Sequence, residues 1–345
     1  MKKIIIYDCA AQSGGAVTVL RKYHSTISRD SEYESWFVTS VVDLASNDHT
    51  HLIKIPWVKK TWIHRIYCDN IYMPKLIKKL EPDEILSLQN KGIRPCGVKQ
   101  TVYIHNAIPF SEHKFCLVKD PYLWLYQNII GFLIYRSLRQ VDSVIVQTKW
   151  MRDKVIEKCG IDEDKIKIQK IESNSYSTGI SVRIKSSICT FFYPSAAYSF
   201  KNHKVIIDAC RLLQKKGICN YHVYFTILPD DNKLAFTINQ KVLSENLPIS
   251  LIGIINNERM EEMYRKSILV FPSYLETVGL PLLEAQNFNT RIIASDCIYA
   301  RETIGEYTNS EFFDAMNSDM LAGIFEKHIR EYYCSLTNGV AIDEN

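Results

Sequence analysis

Short apolar runs that close on polar residues recur along this chain, with stretches of helical period between them. Residues 3–8 (KIIIYD) read as a first strand, and the glycine-bearing AAQSGGAVTVLRKYHS reads as a turn opening a helix. Further strands are expected at 35–39, 51–55, 84–88, 102–104, 143–147 and 165–171, with helices at 122–138 and 149–159. Residues 172–185 are rich in Ser and lack period, which marks a boundary. The alternation then restarts: strand 189–193, helix 202–216, strands near 222–227 and 249–252, helix 257–266 and strand 268–271. A helix from Leu280 into Asn287, a strand from Arg291 and a last helix near 318–332 complete it. Two rounds of alternation predict an α/β chain of two doubly wound, Rossmann-like domains facing across a cleft. The expected bounds are 1–175 for the first domain, 176–186 for a linker and 187–345 for the second.

Composition narrows the classes. The 345 residues are long for one core and comfortable for two. With 46% hydrophobic and 23% charged residues, disordered and fibrous classes drop out. A net charge of +4 is too small for a nucleic-acid partner across the whole surface. The ten cysteines are scattered with no C-x-x-C, so they read as free thiols in a reducing compartment. No histidine stands at zinc-site spacing, and no metal or cofactor is expected. Asp162-Glu163-Asp164 spells D-x-D, but it follows a helix end at Gly160 and reads as a solvated turn. The N-terminal apolar run is cut at Asp8, unlike a signal peptide, and no run reaches the roughly 20 residues of a spanning helix. The expected location is cytoplasmic, with peripheral attachment to the inner membrane face left open.

The chemistry gathers at 271–296, FPSYLETVGLPLLEAQNFNTRIIASD. Strand, loop, helix and strand follow one another, with Glu276 in the loop and Glu284 one turn into the helix. Both carboxylates can face the C-terminal edge of a parallel sheet, where open α/β sheets bind ligands. The backbone N–H groups of Val278, Gly279 and Leu280 aim at the same place, and a helix start favours anions. Two glutamates at this spacing also arise by chance. Gly14-Gly15 sits at the first strand-to-helix junction without a full G-x-G-x-x-G, equally a tight turn or a phosphate-approaching loop. His105 ends a strand, either as a satisfied buried ring or as a hydrogen-bonding group for a sugar hydroxyl, with Asn106 able to orient it. Lys201 starts a helix, either as a surface lysine or as a cation for a leaving diphosphate. Residues 54–79 carry seven basic residues against Asp69, interleaved with Trp57, Trp62, Tyr67 and Tyr72. They suit an anionic membrane surface or a solvated helix packing its rings inward. The apolar helix 122–138 is a core helix or an acceptor-side element near lipid.

The run P-S-x-x-E-x-x-G-L-P-x-L-E-A from Pro272 to Ala285 resembles the nucleotide-sugar signature of the family-4 retaining glycosyltransferases, which have the GT-B fold. The resemblance covers 189–313 strongly and the first half mainly through strand order and the Gly14, His105 and Thr148 regions. It implies retaining transfer of a sugar from a nucleotide-sugar donor to a glycan acceptor in surface polysaccharide (O-antigen or capsule type) synthesis. Glu276, His105 and Lys201 take the catalytic positions. Glu284, Gly14, Gly15, Thr277, Val278, Gly279, Leu280, Gly253 and Ile254 take the donor-binding ones. The resemblance implies Glu284 on the ribose hydroxyls, Glu276 on the donor sugar, and a polyprenyl-diphosphate-linked acceptor on the first domain.

The sequence departs from the family pattern in four places. Ser195 to Ala197 stand where the family has a diphosphate-binding arginine, leaving Tyr198, His203 or a residue elsewhere as the substitute. Asn202 replaces a glycine, and Asn289 and Arg291 replace a glycine and a proline. Asn tolerates the left-handed conformation, so the helix can still end at Asn289. The family's final crossing helix is expected to be short or missing after Cys334. Two rival readings are a Rossmann-type nicotinamide oxidoreductase, which needs an acid ending the second strand where residues 36–40 have none, and a non-catalytic membrane-associated adaptor.

Overall fold

β-Branched and aromatic runs bounded by turn residues form the strands, and every ladder pairing among the described residues is parallel. The computed structural model describes residues 1–12, 14–93, 97–171 and 187–340, and the chain divides into two units, Met1–Ile171 and Glu172–Asn345. The expected linker, 176–186, lies outside the described residues.

In the first unit β1 (Lys2–Asp8), β2 (Tyr33–Thr39), β3 (Thr50–Lys54), β4 (Glu84–Ser87), β5 (Lys99–Tyr103), β6 (Ser143–Val146) and β7 (Ile166–Ile168) form one sheet in the order β3-β2-β1-β4-β5-β6-β7. In the second, β8 (Cys189–Tyr193), β9 (Tyr221–Phe225), β10 (Ile249–Leu251), β11 (Ile268–Phe271), β12 (Ile292–Ser295) and β13 (Ser310–Phe313) lie in the order β10-β9-β8-β11-β12-β13. Both orders reverse direction once, between β1 and β4 and between β8 and β11. Loops leaving the strands there part to opposite faces and open a crevice.

Side-chain alternation sends successive strand residues to opposite faces, and both faces are covered. Ile5, Tyr7, Cys9, Trp36, Val38 and Ile85 pack with Cys68, Met73 and Ile77 from the helices of 62–80. Ile4, Ile6, Phe37 and Leu86 pack on the other face with Val19 and Leu20 of the Gly14–Ile27 helix. In the second unit Phe191 of β8 stacks on Phe325 of the Ser318–Val340 helix at 4.0 Å. That helix runs past its expected end, and the Ile298–Ile304 helix and β13 were not resolved by the sequence pattern.

Two helical stretches differ from expectation. Residues 62–80 are two α-helices, Trp62–Tyr67 and Met73–Leu80, joined by a π-helical turn at Cys68–Tyr72. The helix of 121–138, expected chiefly as core, buries Leu123, Ile134 and Leu138 but leaves Tyr122, Ile129, Phe132 and Leu133 exposed. Its ring of apolar residues is wider than the face the core can cover.

Candidate active site

The second unit's crevice is built by tying the loop after β8 to the loop after β11. Ser273 Oγ and Tyr274 N both donate to the Phe200 carbonyl, at 3.2 and 3.0 Å. Tyr193 Oη donates to the Lys201 carbonyl at 2.7 Å. Asn202, left-handed at φ 57°, donates through Nδ2 to the carbonyls of Pro272 (3.3 Å) and Ala315 (2.7 Å). The asparagine in place of glycine thus keeps the turn and adds two bonds across it. This stapling brings Lys201 Nζ into an ion pair with Glu276 Oε1, each side chain less than a fifth exposed. Tyr193 and Tyr299 lie buried alongside, and burial plus the Glu276 charge raise both phenols well above their usual range.

Gly279 caps the Leu280–Asn287 helix at φ 79°, where a side chain is strained. A Cβ there would also meet Phe271, Leu282 and Tyr299 rings or methyls at 3.1–3.3 Å. Only glycine fits, so the turn that follows Thr277 and Val278 is fixed. Thr303 Oγ1 holds it from behind through the Val278 carbonyl at 2.6 Å. Glu284 is half-buried and accepts from Tyr264 Oη at 2.7 Å. Sequence reasoning missed Tyr264, a buried tyrosine two residues from the end of the Asn257–Lys266 helix. The signal was present in its burial pattern, since a buried phenol needs a partner. Asn289 ends the helix region at φ 51°, left-handed as expected. After β10, Gly253 stands at φ 70° with Leu228 at 2.9 Å from a built Cβ, and Ile254 is 91% exposed.

Neither suggested stand-in for the missing arginine is simple. His203 is buried between Tyr193 and Phe225, with both ring nitrogens lacking hydrogen bonds. Burial and the nearby Lys201 charge push its pKa down to about 3. It is a neutral core ring, which removes it as a phosphate ligand. Tyr198 is exposed and stacked on Phe200 at 5.6 Å.

The remaining expected residues belong to the first unit. Gly14, at φ 63°, and Gly15 open the helix after β1. His105 follows β5; Asn90 Nδ2 lies 3.3 Å from its Nε2, and Asn90 Oδ1 accepts from the His105 and Asn106 N–H groups at 2.7 and 3.0 Å. Asn90, left-handed at φ 64°, therefore orients the ring, and not Asn106, whose Oδ1 accepts from Ile108 N. Burial lowers the His105 pKa to about 4, so the imidazole is neutral near pH 7. The Asp162-Glu163-Asp164 triplet is an exposed turn, with Glu163 paired to Arg152. Strand β2 ends at Thr39 followed by Ser40, both buried, with no carboxylate for a nicotinamide ribose.

Residues 183–333 match the family model described as glycosyl transferases group 1. The O-antigen chain mannosyltransferase RfbU of Salmonella typhimurium (strain LT2) is 24% identical over 207 residues, which span 57% of this chain and 52% of that one. The chain thus spans about half the length of this curated relative. WaaG, a glycosyltransferase involved in lipopolysaccharide biosynthesis, has the same fold at a TM-score of 0.70 and 13% identity, covering 95% of this chain and 90% of its own. Anabaena Alr3699/HepE, solved in complex with UDP-glucose, superposes at 0.66 with 14% identity, 96% and 90% covered. In sequence, residues 183–333 are similar to the group 1 glycosyl transferases, and the fold of the chain is GT-B.

Proposed function

We propose that the chain is a retaining glycosyltransferase that takes a nucleotide-sugar donor at the β8/β11 switch point. The observation that carries this is the half-buried Lys201–Glu276 pair beside a glycine-fixed helix start. In this reading Glu276 accepts hydrogen bonds from donor-sugar hydroxyls, and Glu284, steadied by Tyr264, accepts from the ribose. The Lys201 ammonium and the helix start at Gly279-Leu280 stabilise negative charge as the diphosphate leaves. The acceptor hydroxyl oxygen bonds to the anomeric carbon on the face from which the phosphate oxygen departs, and that oxygen takes the proton. Neutral His105 serves as a hydrogen-bonding group on the acceptor side, and Gly14-Gly15 as a close-approach turn. Similarity to an O-antigen chain mannosyltransferase supports a surface-polysaccharide acceptor, which in this reading is lipid-linked.

A membrane-facing role for the first unit follows the same reading. No helix among the described residues is long and apolar enough to cross a membrane. Trp62, Ile63, Ile66, Tyr67 and Ile71 are nevertheless exposed on one face, next to exposed Lys60, Lys75, Lys78 and Lys79. That combination suits the interface of an anionic bilayer at the inner membrane face. Sedimentation with phosphatidylglycerol vesicles but not with phosphatidylcholine vesicles, lost in Ile63→Ser/Ile66→Ser, is the expected result.

The donor site is tested by titrating UDP and GDP into wild type, Glu284→Gln and Glu276→Gln. A hydrogen bond to a charged group contributes about 1.5–3 kcal/mol, so Glu284→Gln should weaken nucleotide binding roughly 10-fold or more. Glu276→Gln should spare nucleotide binding and stop donor hydrolysis. Full activity in both variants overturns the assignment, and a chain that binds no nucleotide is the adaptor.

A further inference from the structure

The loop that brings Lys201 into the second crevice starts with small side chains, Ser195, Ala196 and Ala197, and continues with two aromatic ones, Tyr198 and Phe200. Its backbone is tied down by the protein itself. Ser195 N–H donates to Thr226 Oγ1, Asn232 Nδ2 donates to the Ala197 carbonyl, and Lys201 N–H donates to the Tyr198 carbonyl, each at 3.0 Å. The Phe200 carbonyl is held by Ser273 and Tyr274. On this frame the Tyr198 ring lies 6° from parallel to the Phe200 ring with centroids 5.6 Å apart, an offset stack. The Lys201 ammonium stands 5.5 Å from the centroid of the same Phe200 ring. Tyr198 is nevertheless 47% exposed, and its hydroxyl makes no hydrogen bond among the described residues.

A single exposed tyrosine is ordinary. This one differs in being stacked, anchored at its carbonyl and three residues from the Lys201–Glu276 pair. The chemistry of the ring narrows what it can take. The face of an aromatic ring is negative, so a diphosphate is repelled from it and stays with the Lys201 ammonium. A flat uncharged group fits instead, and a nucleobase and a pyranose are the two at hand. In the glycosyltransferase reading the nucleotide end is held at Glu284 and at Gly253-Ile254 after β10, two strands from β8 and roughly 10 Å across the sheet. Lys201 and Glu276 mark the sugar end. A pyranose has a face of C–H bonds and an edge of hydroxyls. The C–H face leaves water on covering Tyr198, and the hydroxyls remain free to bond Tyr198 Oη and the Glu276 carboxylate.

We propose that Tyr198 is a stacking platform for a pyranose ring beside the reacting centre, selecting a sugar ring over an open-chain polyol or a bare lipid phosphate. Phe200 is its positioning residue. The proposal rests on the glycosyltransferase reading above. The ring comes from the transferred sugar or from the sugar of the acceptor, and the two sources separate in the test.

Tyr198→Ala removes the ring and Tyr198→Phe keeps it, and both leave the buried core untouched. UDP, GDP, UDP-glucose, UDP-galactose, UDP-N-acetylglucosamine and GDP-mannose are titrated into the full chain by calorimetry. Methyl α-D-glucopyranoside, methyl α-D-mannopyranoside and N-acetylglucosamine are then titrated into the chain saturated with UDP or GDP. A platform for the transferred sugar makes Tyr198→Ala bind a nucleotide sugar about five- to tenfold more weakly with the bare nucleotide unchanged. A platform for the acceptor moves the same loss to the pyranoside titration. Tyr198→Phe should lose far less than Tyr198→Ala in whichever titration responds. The proposal is overturned if Tyr198→Ala binds every probe as wild type does, if Tyr198→Phe loses as much as Tyr198→Ala, or if bare UDP or GDP weakens equally, which gives the ring to the base. A chain that binds no nucleotide loses the glycosyltransferase reading as well, whereas one that binds nucleotide and ignores Tyr198→Ala keeps that reading and loses only the platform.

Discussion

The two units share one topology and treat its switch point in opposite ways. At β8/β11 the charges are paired: Lys201 meets Glu276, Tyr264 meets Glu284, and the loops are stapled through Phe200 and Asn202. At β1/β4 polar atoms are left without partners, on Asp8 and Gln89, although both side chains are buried. The second unit pairs its carboxylates, leaving only the neutral Ser199 hydroxyl and His203 ring nearby without partners, whereas the first leaves an oxygen of the Asp8 carboxyl unpaired.

The largest effects should come from separating Lys201 and Glu276. Lys201→Met leaves a half-buried carboxylate without its cation and, in the proposed reaction, removes the charge opposed to the leaving diphosphate. Loss of one group stabilising developing charge costs about 10²–10³-fold in kcat, and Lys201→Met should fall in that range with nucleotide affinity changed far less. Adding Glu276→Gln should cost little more, because the two act as a unit. Two full, additive losses would mean that the pair has no shared role.

Asp8 should show the opposite relation between function and stability. Burial raises its pKa from 3.8 to about 6, against the N–H groups of Ala11 and Ala10 and the charges of Arg65 and Lys59, which lower it. A carboxyl whose folded pKa lies above its unfolded one favours the native state when protonated. Stability from this group is therefore fully present below about pH 4 and is lost as pH rises through about 6. About two pKa units correspond to roughly 3 kcal/mol. Asp8→Asn, which does not titrate there, should be more stable than wild type at pH 8 by up to that amount. Urea unfolding should show the difference shrinking toward pH 4, and a variant that is less stable at pH 8 would break the contrast between the units.

Tyr264→Phe probes how far the second crevice depends on its internal pairs. It removes one hydrogen bond to a carboxylate, worth roughly 1.5–3 kcal/mol to a buried group when its partner is left behind. Nucleotide affinity should fall by about threefold on titration, less than the roughly tenfold or more of Glu284→Gln, since the carboxylate itself remains.

Legibility from the sequence differed between the same two regions. The β11 loop was readable because its chemistry is contiguous: Glu276, Gly279 and Glu284 lie within nine positions, and their spacing sets strand, turn and helix. The Asn257–Lys266 and Leu280–Asn287 helices fell where the pattern put them. Asp8 and Gln89 were not singled out because each is an ordinary polar residue closing an apolar run, and only sheet order makes them neighbours. Asn90 was hidden for a related reason, since its role depends on a left-handed backbone and a partner 15 residues away. His203 shows the converse, a polar residue beside Lys201 that helical phase turns into the core. Strand β13 and the Ile298–Ile304 helix are too short for a period to declare itself.

The smallest expected effect separates the two asparagines that stand in for family glycines. Both are left-handed, at φ 57° for Asn202 and 51° for Asn289, a conformation that costs a non-glycine residue about 1 kcal/mol. Glycine relieves that strain at either position, so the sign depends on what the side chain does. Asn289 Oδ1 accepts a long 3.3 Å bond from Tyr307 Oη, which is also bonded to the Thr290 carbonyl at 2.8 Å, and Asn289→Gly should change stability by less than about 0.5 kcal/mol. Asn202 bonds two carbonyls that hold the Lys201 loop against the β11 loop, so Asn202→Gly loses more than it relieves, by about 1 kcal/mol. It should also loosen the crevice and lower kcat without unfolding the chain. Equal effects of the two glycines on melting temperature and kcat would mean that the staple at Asn202 does not hold Lys201 in register with Glu276.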